Sequence, residues 1–166
     1  MRLMPSNDMI AAGQDEIALD EQDRRLLSLL QADGRASYAE LASATGLSAG
    51  AARARVIRLR ETGLLQVVAV TDPLKLGYRS MAMLAISVVG QADPEQVADA
   101  LGSVEGVIYV VLAAGSIDLL VEVLAPDAET LYSIINRQIR AIPGVGRLET
   151  FTYYRTHTHR FSWPTL

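Results

Sequence analysis

Residues 47–63 read LSAGAARARVIRLRETG, and the meaning of the whole chain turns on them. Ser48 is a residue type that opens helices, because its hydroxyl accepts an orphan amide of the first turn. Gly63 stands where a glycine closes one. Between them Ala52, Val56 and Leu59 recur at i, i+4 and i+7, so one stripe faces a core. The rest of the surface carries Arg53, Arg55, Arg58 and Arg60, with no carboxylate from Ser48 to Arg60. A short helix with one dry stripe and a cationic remainder suits a polyanion. Taken alone it reads more simply as a solvated basic face, but the two segments before it reverse that reading.

Upstream, Asp20 is an acidic N-cap with Glu21 and Asp23 in the first turn, favourable against the helix dipole. Leu26, Leu27, Leu29 and Leu30 supply a buried face, and Asp33-Gly34-Arg35 ends that helix. Ser37 caps a second helix with Glu40 at the capping-box position. Leu41, Ala42 and Ala44 point inward, and Gly46 stops it. Three residues, Thr45-Gly46-Leu47, then separate this helix from the arginine-bearing one. Two short helices across a tight glycine-containing turn form a helix-turn-helix, with the third segment as recognition helix. Residues 19–64 are therefore predicted as a helix-turn-helix (winged-helix-like) domain that binds double-stranded DNA.

Composition agrees once charge is located. The 166 residues carry a net charge of −4, half of them are hydrophobic, and none is cysteine. Disulfide and thiolate chemistry are excluded. Every Asp and Glu lies outside residues 48–60, and a phosphate backbone meets the local patch rather than the average. No run approaches the roughly 18 apolar residues of a membrane helix. Residues 1–18 lack apolar periodicity and the continuous core of a secretory signal, so they are expected as a loose arm. A cytoplasmic location without membrane contact follows by default.

Downstream of Gly63, residues 64–70 (LLQVVAV) form a β-rich run, read as a connector strand before the linker that ends at Tyr78. Residues 79–166 then read strand, helix, strand, strand, helix, strand. Residues 81–89 are strand-like, and Asp93-Pro94 opens a helix with Pro at N1. Residues 107–113 and 118–124 flank a turn at Gly115-Ser116. Pro126-Asp127 opens a second helix with Leu131, Ile134, Ile135, Gln138 and Ile142 at helical spacing, and residues 148–157 form the last strand. This order predicts an α+β, ferredoxin-like βαββαβ domain with both helices on one face of an antiparallel sheet. Strands without alternation imply that the other face is apolar too, on the order of several hundred Å². Two copies are therefore expected to pack through their open faces, which would also pair recognition helices about one DNA turn apart.

Candidate chemistry is sparse. His157 and His159 would share a strand face, but two ligands without a third do not make a metal site. Tyr153, Tyr154, Phe161 and Trp163 are read as interface residues. No nucleophile elbow, phosphate-cradling loop or acidic metal cluster appears, so no catalytic residue and no cofactor is expected. Gly115-Ser116-Ile117-Asp118 supports two readings. Its glycine would let a zwitterion reach the backbone while Asp118 attracts an ammonium; equally, Gly and Asp are ordinary hairpin residues. A ferredoxin-like enzyme, or a sensor without DNA binding, stays as the alternative to a regulator.

Residues 19–156 resemble the Lrp/AsnC (feast/famine) family of transcription regulators. The likeness rests on Asp20, Asp23, Arg24, Leu30-Gln31, Asp33-Gly34-Arg35, Glu40-Leu41-Ala42 and Gly46-Leu47-Ser48 in register. It continues into Leu76-Gly77, Gly115-Ser116-Ile117-Asp118 and Pro143-Gly144-Val145. The resemblance implies a bacterial or archaeal regulator, cytoplasmic and nucleoid-associated, whose C-terminal domain senses a small effector, commonly an amino acid. It also implies a homo-oligomer: dimers that assemble further, commonly to octamers. The implied effector site comprises Gly115, Ser116, Ile117, Asp118 and, on the last strand, Thr150, at the contact between dimers. Leu148 departs from the polar residue frequent there.

Departures also mark the recognition helix. Ala49-Gly50-Ala51 replaces the usual Pro and hydroxyl residues, Ile57 a basic one and Arg60 a Glu. The residues expected at the duplex are Ser37, Ser48, Ala49, Arg53, Arg55, Arg58 and Arg60. On a helical wheel Gly50, Ala51, Ala54 and Arg58 oppose the core stripe, and only Arg58 among them can bind guanine bidentately. Affinity is expected from arginine–phosphate contacts, and specificity from DNA shape and dimer spacing.

Overall fold

The computed structural model describes residues 17–154. The arm expected over residues 1–18 falls almost wholly outside that range, as do His157, His159, Phe161 and Trp163. The chain divides between Val70 and Thr71 into two compact units, within the expected 65–78 connector.

Capping chemistry sets the three helices of the first unit. α1 (Glu21–Ala32) opens on a capping box in which Asp20 accepts from the Asp23 amide and Asp23 from the Asp20 amide. α2 (Tyr38–Thr45) opens on the Ser37–Glu40 box and ends at Gly46, whose φ of 75° is the left-handed cap that glycine adopts without strain. α3 (Ala49–Glu61) is capped by Ser48, which accepts from the Ala51 amide at 3.1 Å. Leu26, Leu27, Leu30, Leu41, Ala42, Ala52, Val56, Leu59 and Leu65 form one core among them. Burial of these side chains, more than propensity, holds such short helices.

Among the described residues neither a wing nor a connector strand forms. Residues 64–70 pair with no strand among the described residues. Instead the Leu65 amide donates to the Leu59 carbonyl at 3.0 Å and Leu65 is buried against the helices. Val67, Val68 and Val70 stay exposed. Their β-branched composition favours a strand only where a neighbour completes the ladder.

In the second unit β1 (Ser80–Val88), α4 (Pro94–Gly102), β2 (Val107–Leu112), β3 (Leu119–Ala125), α5 (Ala128–Ser133) and β4 (Val145–Thr152) follow in order. The strands form one antiparallel sheet in the order β2-β3-β1-β4. Ala82, Leu84 and Ile86 of β1, Leu119, Val121 and Val123 of β3 and Leu148 of β4 pack with Val97 and Leu101 of α4 and Leu131 of α5. Both helices therefore lie on one sheet face, as the βαββαβ reading requires.

Two boundaries move. β4 starts at Val145 rather than Leu148 and ends at Thr152, because Val145 already pairs with Val88. After α5 the chain winds through a π turn (Ile134–Gln138) and a 3-10 turn (Ile139–Ala141). Ile139 is fully buried there and Gln138 exposed, so Gln138 does not continue the buried face of Leu131, Ile134 and Ile135 with which it shares helical spacing. A π turn inserts extra residue length into the helix and resets which residues face the sheet.

Candidate nucleic-acid interface and effector loop

Four arginines on α3 divide into two flanks. Residues seven apart on a helix lie nearly in line, so Arg53 and Arg60 share one ridge with Ala49, and Arg58 lies with Arg55 and Ala51 on the other side. Ala49, Arg53 and Arg60 are exposed. Among the described residues neither Arg53 nor Arg60 forms an ion pair. The opposite flank meets α1. Arg55 Nη1 donates to Asp20 Oδ2 at 2.6 Å and to Asp23 Oδ1 at 2.9 Å, and Arg58 Nη2 donates to Asp23 Oδ2 at 2.6 Å.

The helical wheel places Arg58 opposite the core stripe, and its side chain is 45 % exposed, but it also has a partner on α1. Its guanidinium leans toward α1 onto a carboxylate instead of standing free opposite the core stripe. The cause is Asp23, only 1 % exposed, since a carboxylate in such a place requires charged partners. Burial pushes the Asp23 carboxyl up, and the hydrogen bonds from Arg58 and Arg55 more than offset this, holding it below the ordinary range. Asp20 is held down by the Asp23 amide and then by Arg55, and Arg55 is raised by Asp20 and then Asp23. Two carboxylates three residues apart on α1 thus match two arginines three residues apart on α3. That spacing is visible in the sequence, but reading Asp20 as an N-cap and Asp23 as a first-turn acid does not reveal their partners on α3.

The other expected duplex residues are helix caps. Ser37 closes the α2 box: its hydroxyl and amide both donate to Glu40, and the hydroxyl first, then the amide, holds the Glu40 carboxyl below its usual range. Ser48 and Ala49 form the exposed entry to α3.

In the second unit, Gly115 through Asp118 link β2 to β3. Gly115 has φ 142°, a conformation L side chains rarely adopt, and open space where a Cβ would stand. Ser116 is exposed, and Ile117 and Asp118 are half-buried. Asp118 already has a structural partner. Its Oδ2 accepts from the Val88 amide at 2.7 Å, where the β1–β4 register shifts, and its own amide donates to the Ile86 carbonyl at 3.0 Å. Among the described residues Oδ1 accepts no hydrogen bond. Thr150 is exposed on β4 opposite Leu84. It lies two strands across from β3 and several residues along from Asp118, about 10 Å in each direction. One protomer does not bring Thr150 to the loop.

The sheet face away from the helices carries Met81, Met83, Ala85, Leu120 and Leu124, apolar as the lack of alternation predicts; Met81, Ala85 and Leu124 are buried within the chain, while Tyr109 and Phe151 toward its edges are exposed. A pairing missed in the sequence sits in its middle: the Tyr153 hydroxyl donates to Glu122 Oε1. Burial, followed by the Glu122 carboxylate, pushes the Tyr153 phenol well above its usual range. No group of three His, Cys, Asp or Glu that could hold a metal occurs among the described residues, and no helix among them is long and apolar enough to cross a membrane.

Known proteins share both units. Residues 19–60 match the AsnC-type helix-turn-helix domain and residues 81–163 the Lrp/AsnC ligand-binding domain. HTH-type transcriptional regulator FL11 of Pyrococcus abyssi is 33% identical over 149 residues, 89% of this chain and 97% of its own. The leucine response regulatory protein LrpA of Mycobacterium tuberculosis is 31% identical with a TM-score of 0.77, over 85% of this chain and 96% of that one. A transcriptional regulator of Neisseria meningitidis, solved as an L-Met complex, shares the fold at a TM-score of 0.80 and 21% identity, over 89% and 97% of the two chains. Matched in both units and along nearly the full length of these relatives, the chain belongs to the Lrp/AsnC family of helix-turn-helix transcriptional regulators.

Proposed function

We propose that α3 of paired copies enters successive major grooves of double-stranded DNA, and that a small effector bound at the Gly115–Asp118 loop changes operator affinity. The observation that carries the reading is the Ala49–Arg53–Arg60 ridge, exposed and free of carboxylate partners among the described residues, on the second helix of a capped helix-turn-helix. Arg53 and Arg60 are phosphate contacts, and Ser48 and Ala49 lie at the helix entry beside the bases. The small residues Ala49, Gly50 and Ala54 offer few base-edge hydrogen bonds, so specificity draws on DNA shape and half-site spacing.

An amino acid fits the loop chemically. The glycine backbone is open to a carboxylate, and Asp118 Oδ1 can accept from an ammonium while Oδ2 stays on Val88. The L-Met complex of the Neisseria regulator supports this ligand class. Thr150 completes the site only from a second copy, and open-face packing of two copies supplies a dimer that can assemble further, to octamers. Effector binding then biases one assembly over another, and operator affinity follows by linkage. Such a protein works on the nucleoid, in the bacterial or archaeal cytoplasm.

Gel shift of the full chain on the DNA upstream of its own coding region, across a salt series, tests the DNA half. A specific complex that weakens with salt is expected, and no complex even in dilute buffer would end the reading. Melting the protein with each amino acid tests the other half: the effector raises Tm, and Asp118→Asn diminishes that rise.

A further inference from the structure

Asp23 is the one charged side chain that the described residues bury. It lies on α1, away from the proposed groove face, yet it touches two of the four cations of α3 through both of its oxygens. Asp20 adds a second acceptor for Arg55. Two carboxylates and two guanidinia cancel in charge along this flank. Handing either arginine to a DNA phosphate would leave Asp23 buried with one charged partner fewer, a heavily penalised state. A phosphate in open solvent offers an arginine nothing comparable, since that contact is screened.

We infer that Asp23 is a positioning residue for DNA recognition: it withholds Arg55 and Arg58 from the duplex, fixes α3 against α1, and leaves Arg53 and Arg60 as the cations that count phosphates. This rests on the DNA-binding reading above and adds a constraint to it. By removing two cations from the polyanion-facing surface, Asp23 limits sequence-independent binding and so widens the gap between operator and random DNA.

The slope of log affinity against log salt reads the number of phosphates neutralised, about 0.9 per contact. Full-length wild type and variants are titrated on an operator duplex and on a random duplex. Arg53→Gln and Arg60→Gln should each flatten the slope by about 0.9. Two charge-matched pairs, Asp23→Asn with Arg58→Gln and Asp20→Asn with Arg55→Gln, should keep the wild-type slope. Asp23→Asn alone keeps the side-chain shape, frees Arg58 and leaves Arg55 on Asp20, so the slope should steepen by about one contact, about 0.9, with affinity rising more on random DNA than on operator. A purely structural role for Asp23 would change stability without steepening the slope. If Asp23→Asn does not fold, the charge-matched pairs decide alone. A wild-type complex in which those pairs flatten the slope as much as Arg53→Gln does would overturn the inference while sparing the DNA-binding reading. Absence of any salt-dependent complex with wild type would take both down.

Discussion

Asp23 in the helical unit and Glu122 in the sheet unit are both carboxylates set among apolar neighbours, and they are satisfied in opposite ways. Asp23 meets two guanidinia and ends in a charge-balanced cluster. Glu122 meets the phenol of Tyr153 instead. One arrangement occupies two of the four arginines of α3; the other sets a carboxylate and a phenol together on the sheet face proposed to meet a second copy. Burial of a charge carries no fixed meaning, and the partner decides what the surface presents.

The strongest way to break this comparison is to empty the first site. Asp23→Ala removes the capping-box acceptor and strands two arginines. Urea unfolding should show a loss of about 3 kcal/mol, toward the low end for a broken buried pair because both guanidinia keep some contact with water. Arg53→Ala, on the unpaired flank, should stay within about 0.5 kcal/mol. Equal losses in the two variants would mean that the α1–α3 pairs contribute nothing to stability.

Asp118 sharpens the contrast as a third carboxylate, held by backbone alone. Asp118→Ala leaves the Val88 amide without its acceptor at the register shift and should cost about 1–2 kcal/mol in thermal unfolding. Asp118→Asn retains an oxygen for that amide and should recover most of the loss, while still blunting the amino-acid-induced rise in Tm. A loss in Asn as large as in Ala would show that the charge, not the acceptor, supports the turn.

Most of the architecture was legible because it is written in local chemistry. Asp20, Ser37, Ser48, Asp93 and Asp127 cap the helices where capping rules place them. Apolar runs mark the sheet. What escaped was non-local. Residues 64–70 have strand composition, but a strand needs a partner, and none pairs with them among the described residues. The reset at Ile134–Gln138 exposes Gln138 and buries Ile139, which a regular helical period cannot anticipate. In the candidate sites the arginines stand out by residue type and spacing, and the Gly-Ser-Ile-Asp loop by residue type together with the family resemblance. Their partners lie on other elements: Asp23 is 35 residues from Arg58, and Val88 is 30 from Asp118. A wheel drawn for α3 alone cannot see α1.

Acid titration separates the carboxylates by a smaller effect. The Asp23 carboxyl is held below its ordinary range, so its stabilising contribution is fully present above the unfolded value of about 4. That contribution is lost as pH falls below it through the folded value. Unfolding free energy measured at acid pH should therefore drop less steeply in Asp23→Asn than in wild type. Asp20, held down by the Asp23 amide and by Arg55, adds in the same direction. Identical acid slopes in the two proteins would remove the pair from the list of stabilising interactions.

Tyr153 gives the smallest effect and the opposite sign. Its phenol is pushed above the usual value by burial and by Glu122. A group raised in the folded state stabilises fully below its unfolded value, about 10, and loses that contribution as pH climbs through the folded one. Tyr153→Phe removes one hydrogen bond at neutral pH, about 1 kcal/mol or less for a half-buried donor. Above pH about 10 the wild type should lose its advantage over Tyr153→Phe, so melting curves of the two proteins converge in alkali. Curves that run parallel across that range would mean the phenol ionises as freely folded as unfolded. Glu122 would then stand unpaired on the open face, and the comparison with Asp23 would reduce to one carboxylate satisfied and one left to water.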